Sequence, residues 1–249
     1  MFSLTKVRDG VYHLEFESPR ELGMTFVRYQ EFYESQYDHI REKSFSLVEQ
    51  MGTYVRLQNK DENSDWSYPN DWGGYNIPAE VIKQCIDAGI PDPNFYDAFM
   101  KGVYHFIMAD CNHGKAYLIG TYLEEVDEDA TEEDLEKKAA KEEGYFKHEM
   151  THAMFYLVPE YKEACLEFLG AIDNDLRKEL FAAIYEHGYP EKVTLDEIQA
   201  YITTGEAGYF DEVKNQNGLD ILRNQLRSLW REHYPTFYET DDEAPSSSG

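Results

Sequence analysis

The sequence predicts an α+β fold, mainly helical with a small sheet, and three observations lead there. Apolar residues three or four apart recur along most of the chain, as expected of helices that bury one face. Helix-start signals precede several of these segments: Ser46-x-x-Glu49, Thr131-x-x-Asp134 and Thr194-x-x-Glu197 each set a carboxylate three residues after a hydroxyl. A few strands are expected, and strand character is clearest in residues 11–17 and 115–123.

Taken in order, residues 11–17 alternate apolar and polar side chains like a half-buried strand, and Ser18-Pro19 ends it. Residues 21–37 carry Phe26, Tyr29, Phe32, Tyr33 and Tyr37 at near-helical spacing. This stripe reads as core in preference to a stacking platform for bases. A helix opens at Ser46 and runs to about Leu57. Residues 59–78 hold Trp66, Trp72, Tyr75, two glycines and several turn formers, and read as an ordered loop. Its aromatics either line a substrate cleft or fasten the loop to the core. Pro78 stands at the first position of a helix that ends at Gly89, and another helix spans residues 94–108.

Asn112-His113-Gly114 signals a turn, and residues 115–123 follow as a strand rich in β-branched and aromatic side chains. Thr131 then caps a helix. Gly144 leaves open whether one long helix or two run from there to Pro159. Phe146, Met150, Ala153, Met154 and Leu157 give the second half a mostly apolar face. Helices follow near residues 160–172 and 173–187, from Thr194, and near 219–233. Residues 239–249 are acidic and end in Pro, Ser and Gly, and read as a disordered tail.

Composition narrows the function classes. A 249-residue chain can bury a sizeable core, and 42 % apolar with 15 % aromatic residues argues against general disorder. The net charge of −26 disfavours nucleic acid and anionic membrane as partners. No run of about 20 apolar residues predicts a transmembrane helix. The N-terminus lacks a signal-peptide pattern, and Phe2 excludes N-myristoylation. Cys85, Cys111 and Cys165 form no CxxC pair and fit a reducing compartment, so a cytoplasmic location is expected. Cys111 and His113 as a nucleophile pair form a minor alternative, since they sit in a turn.

The chemistry concentrates in His148-Glu149-Met150-Thr151-His152. On a helix, two histidines at i and i+4 lie on one face and can reach one metal ion. The adjacent Glu149 is then placed to take a proton from an activated water. A catalytic site of this kind needs a third protein ligand. Glu197 is one candidate, and Asp196, His187 and Asp173 remain open. Glu197 also has a purely structural reading, as the carboxylate of the Thr194 capping box.

With these residues in view, the sequence resembles the gluzincin branch of the zincin metallopeptidases over about residues 145–205. The resemblance implies zinc as cofactor, with His148, His152 and Glu197 as ligands and Glu149 as general base. It also implies an active-site helix next to a sheet-edge strand, which here would be residues 117–123. In that family an aspartate four residues after the ligand glutamate often orients a ligand histidine. This chain has Tyr201 there, so that support must come from elsewhere or be missing.

The expected function is a zinc-dependent peptidase that cleaves a peptide or protein amide, with Tyr201, His187 and Tyr209 as candidate oxyanion donors. Residues 1–238 would form one globular domain, undivided or split into an N-terminal subdomain (1–110) and a metallopeptidase-like core (111–238). Two rivals stand beside it. One is a non-enzymatic acidic protein that binds a basic partner or mimics nucleic acid. The other is a zincin-fold binding protein without turnover.

Overall fold

The first two strands follow from a two-residue Asp9-Gly10 turn. Gly10 adopts φ +82°, a left-handed conformation that glycine takes without strain. It joins β1 (Phe2–Arg8) to β2 (Val11–Phe16) as an antiparallel hairpin, with Leu4 opposite Leu14. In this computed structural model residues 1–57, 65–124, 130–205 and 209–238 are described. The predicted disordered tail lies outside them, as do residues 125–129 of the acidic stretch. The described residues form nine α-helices and one four-stranded sheet, so the mainly helical α+β class is observed.

The sheet order is β1-β2-β4-β3, with β3 (Gly74–Pro78) and β4 (Tyr117–Tyr122). β4 runs parallel to β2 and antiparallel to β3. Two expectations are corrected here. Residues 74–78, read as part of a loop, form a strand that is short and bounded by glycine and proline, which hid its alternation. The strand at 117–122 is not the sheet edge. It lies inside the sheet, and its run of buried side chains is what a strand covered on both faces requires. The edge strand beside the motif helix is β3.

Helices cover both faces of the sheet. Tyr12, Leu14, Phe16 and Leu118 point into a core built with α1 (Pro19–Glu34), α2 (Leu47–Leu57), α3 (Ala79–Ala88) and α4 (Phe95–Asp110). Val11, Tyr117 and Ile119 point the other way. They meet α5 (Glu132–Leu157), α6 (Pro159–Ala171), α7 (Asn174–Glu186), α8 (Thr194–Thr204) and α9 (Gln216–Tyr238). α1 begins at Pro19 and stops at Glu34, so Tyr37 of the predicted stripe lies beyond it, while Phe26, Tyr29 and Phe32 are buried. Pro78 is the N-cap of α3, one position earlier than its predicted place.

α5 resolves the ambiguity at Gly144 in favour of one 26-residue helix. A glycine in a helix interior costs about 1 kcal/mol relative to alanine. Opposing this are a complete Thr131–Asp134 capping box and the Glu133–Lys137 and Glu143–Lys147 pairs, each in the favourable i,i+4 order. The first half of α5 is therefore a solvated stem, and the second half enters the core.

α1 is fixed by a buried cation. Arg28 is 2 % exposed and reaches Asp97 through Nε (2.8 Å), Asp92 through Nη2 (2.9 Å) and the Phe45 carbonyl through Nη1 (2.7 Å). Asp97 also closes the Asn94 capping box of α4, so one carboxylate ties two helices together. Removing one partner of such a pair strands the other charge, at about 3–5 kcal/mol. Arg28→Met is therefore expected to lower the unfolding free energy by that amount in a urea titration. A loss below about 1 kcal/mol would show that the ion pair does not anchor α1.

Candidate metal centre

His148, Glu149 and His152 lie on the buried half of α5, where Met150, Ala153 and Met154 enter the core. Thr151 accepts the Trp230 indole N–H from α9 (2.9 Å), which holds this turn of helix in place. α8 packs across it and supplies Glu197. One ligand atom from each of His148, His152 and Glu197 lies within 4.8 Å of the others, and all three residues are buried. This is the expected ligand set.

Hydrogen bonds assign the tautomers. The Thr204 hydroxyl donates to the Ala200 carbonyl (2.8 Å), so it can only accept from His148 Nδ1 (3.3 Å). His152 Nδ1 lies 2.9 Å from Asp196 Oδ1 and donates to it. Each contact engages Nδ1 and leaves Nε2 as the nitrogen that could meet a metal, and the two Nε2 atoms face each other at 3.2 Å. Glu197 Oε2 lies 3.8 Å from His152 Nε2 and is buried without a hydrogen-bond partner. Ligand atoms around a tetrahedral zinc, at bond lengths near 2.0–2.1 Å, stand about 3.3–3.4 Å apart. The 3.2 Å between the two Nε2 atoms is near that spacing, the 3.8 Å to Glu197 is wider, and the donor types are those of a site that could hold a metal ion.

The capping role proposed for Glu197 is not realised. Val193 is the N-cap of α8 and makes no side-chain cap, while the Thr194 hydroxyl donates to the Pro190 carbonyl (3.1 Å). The N-cap falls one residue before the predicted one, so Glu197 is left facing the histidines. Of the alternative ligands, Asp173 caps α7 and accepts from Asn215. His187 stacks on Tyr209 and lies outside the cluster. Asp196 serves as the orienting carboxylate that Tyr201 could not provide. Gln199 steadies it, donating to Asp196 (2.9 Å) while accepting from the Tyr161 hydroxyl (2.8 Å).

Glu149 is held from the sheet. The Tyr117 hydroxyl donates to Asn76 Oδ1, which turns the Asn76 amide nitrogen toward Glu149 Oε2 (2.7 Å). The carboxylate lies so close to β3 that a Cβ at position 74 would collide with it. Gly74 is thus required by close approach. Asn76 was not recognised from sequence, because its strand was hidden within an apparent loop.

These groups open onto a cavity of about 410 Å³. Trp72 and Tyr75 line it, Tyr75 also stacks on Phe26 in the core, and Trp66 stacks on Tyr68. His187, Tyr201 and Tyr209 come together on one wall. Tyr209 stacks on both other rings, and the Tyr201 hydroxyl lies 2.7 Å from that of Tyr209 and 2.9 Å from that of Tyr189. The Tyr201 ring sits 4.6 Å from that of His148. Tyr189 is a member that sequence reading missed. Cys111 and His113 are bound apart, to the Lys115 carbonyl and to Asp9. They form no nucleophile pair.

Electrostatics follow from burial. Burial holds the His148 imidazole well below its ordinary pKa, and the neighbouring His152 adds to this. For His152 burial acts the same way, but Asp196, Glu197 and Glu149 outweigh it and lift the group to about 10. Glu197 is raised well above the usual carboxylate range, by burial first, against the pull of His152. On α1, burial raises Glu31 and pushes Glu34 up to about 7. The cavity therefore concentrates carboxylates in a poorly solvated space.

Asp196→Asn is expected to weaken zinc binding by about 10–100-fold, the usual effect of losing a carboxylate behind a ligand histidine. Competition with a chromogenic chelator measures it, and an unchanged affinity would remove Asp196 from the centre. The chain matches no protein-family model, no curated protein and no solved structure.

Proposed function

We propose that this protein is a zinc-dependent hydrolase that cleaves a peptide or protein amide bond. The carrying observation is the convergence of two histidine Nε2 atoms and a buried carboxylate oxygen without a hydrogen bond beside Glu149, at the wall of a substrate-sized cavity. His148, His152 and Glu197 would hold the ion. When bound, zinc supplies Lewis acidity, making water acidic near pH 7 and polarising a carbonyl.

Glu149 is the general base. Held by Asn76 and by its contact with β3, it accepts a proton from the attacking water and delivers it to the leaving amine. Asp196 and Thr204 keep the histidines in the tautomers that ligation requires. The hydroxyl network of Tyr189, Tyr201 and Tyr209 provides donors for the oxyanion. As the edge strand, β3 can pair with an extended peptide beside Glu149. Among the described residues no helix is long and apolar enough to cross a membrane.

Glu149→Gln tests the reading. It is expected to retain zinc while lowering turnover of a quenched-fluorescent peptide library by about 10²–10⁴-fold. Equal turnover by both proteins would contradict the role of Glu149, and zinc binding with no turnover by either would favour a binding protein built on this site.

A further inference from the structure

The α1 wall of the same cavity has chemistry that the hydrolytic centre does not use. Gln30 and Glu31 are 7 % and 9 % exposed, and both line the cavity. Glu31 Oε2 is buried with no hydrogen-bond partner, and so is Gln30 Oε1. The Gln30 amide nitrogen donates to Glu34 Oε1, which fixes the orientation of that amide and leaves its oxygen as the unpaired acceptor. Two orphaned acceptors, one of them a carboxylate oxygen, and a second carboxylate thus share one turn of helix, with Ser35, Gln50 and Tyr68 as the polar neighbours of the Glu31 carboxyl. Stranded buried acceptors are costly, and natural proteins keep few of them.

No lysine or arginine is among the described residues that line this cavity, whereas Glu31, Glu34, Asp71, Glu149 and Glu197 are. Even a bound dication leaves that lining net negative. A second metal ion is not the fitting occupant. Among the described residues only His148, His152 and Glu197 bring three histidine, cysteine or carboxylate ligand atoms within 4.8 Å of one another, and α1 adds just two carboxylates and an amide. Buried carboxylate and amide acceptors suit a cation that carries several N–H donors.

We infer that Gln30, Glu31 and Glu34 form a subsite for a cationic nitrogen group of the substrate, either an α-ammonium or a basic side chain. This rests on the hydrolase reading for its substrate, but the subsite can be tested without turnover. The charged group would dock on α1 while the adjoining amide lies toward Glu149. Charge-assisted hydrogen bonds to a buried carboxylate make the cationic form the preferred one by roughly tenfold or more.

The experiment is isothermal titration calorimetry on the full chain carrying Glu149→Gln, with zinc content measured on the same sample. Three probes are used: trialanine amide with a free α-amine, its N-acetyl form, and N-acetyl-Ala-Lys-Ala amide. The expected result is that at least one cationic peptide binds roughly tenfold or more tightly than the neutral peptide. The identity of that peptide tells α-ammonium from side chain. Adding Glu31→Gln and Glu34→Gln should erase the difference, with circular dichroism confirming the fold. Equal affinities for all three probes, or no binding by either cationic peptide, would overturn the subsite. Zinc binding without charge preference would leave the metal centre standing, and charge preference in a chain that binds no zinc would do the reverse.

Discussion

Between α5 and α8, a carboxylate oxygen of Glu197 is buried without a hydrogen bond and faces the Nε2 atoms of two histidines. Three potential ligand atoms in one dry pocket call for a cation among them, either a metal ion or, without one, the protonated His152 ring, which Asp196, Glu197 and Glu149 lift to about 10. The surroundings hold this grouping in place. Asp196 and Thr204 turn both histidines so that Nε2 points inward, and the helix cap that would have occupied Glu197 is not formed. Such an arrangement is costly as pure architecture and reasonable as a metal centre.

The rest of the fold positions groups around that centre. The sheet brings β3 to the edge where Gly74 allows Glu149 to touch the backbone and Asn76 to grip it. The Arg28 ion pairs anchor α1, which presents Glu31 and Glu34 to the cavity. The α7–α8 region contributes the tyrosine wall. Each of these supports comes from a different part of the chain, so the site depends on the integrity of both layers flanking the sheet.

Much of this was legible in the sequence where periodicity and chemistry coincide. The motif helix carries its apolar face and its His-x-x-x-His spacing in one short segment, and its Thr131 cap is local. Glu197 was legible as a ligand only through resemblance, because the Thr194 spacing offered an equally good local explanation that the packed structure does not adopt. Asp196 was weighed only as a ligand, since the orienting carboxylate was sought four residues after Glu197 and not one before it. β3 and Asn76 were hidden because a five-residue strand between Gly73 and α3 carries too little pattern. The α1 acceptors escaped notice because the aromatic stripe on that helix dominates its pattern, and only tertiary packing tells which polar neighbours become buried.

The central claim is that His148, His152 and Glu197 bind one metal ion. Elemental mass spectrometry on protein purified without a metal-affinity tag tests it most directly, with His148→Ala and Glu197→Ala in parallel. The account predicts close to one zinc per chain in the parent protein and little in either variant. Absence of zinc from the parent, even after zinc is added back and the excess removed, would contradict it.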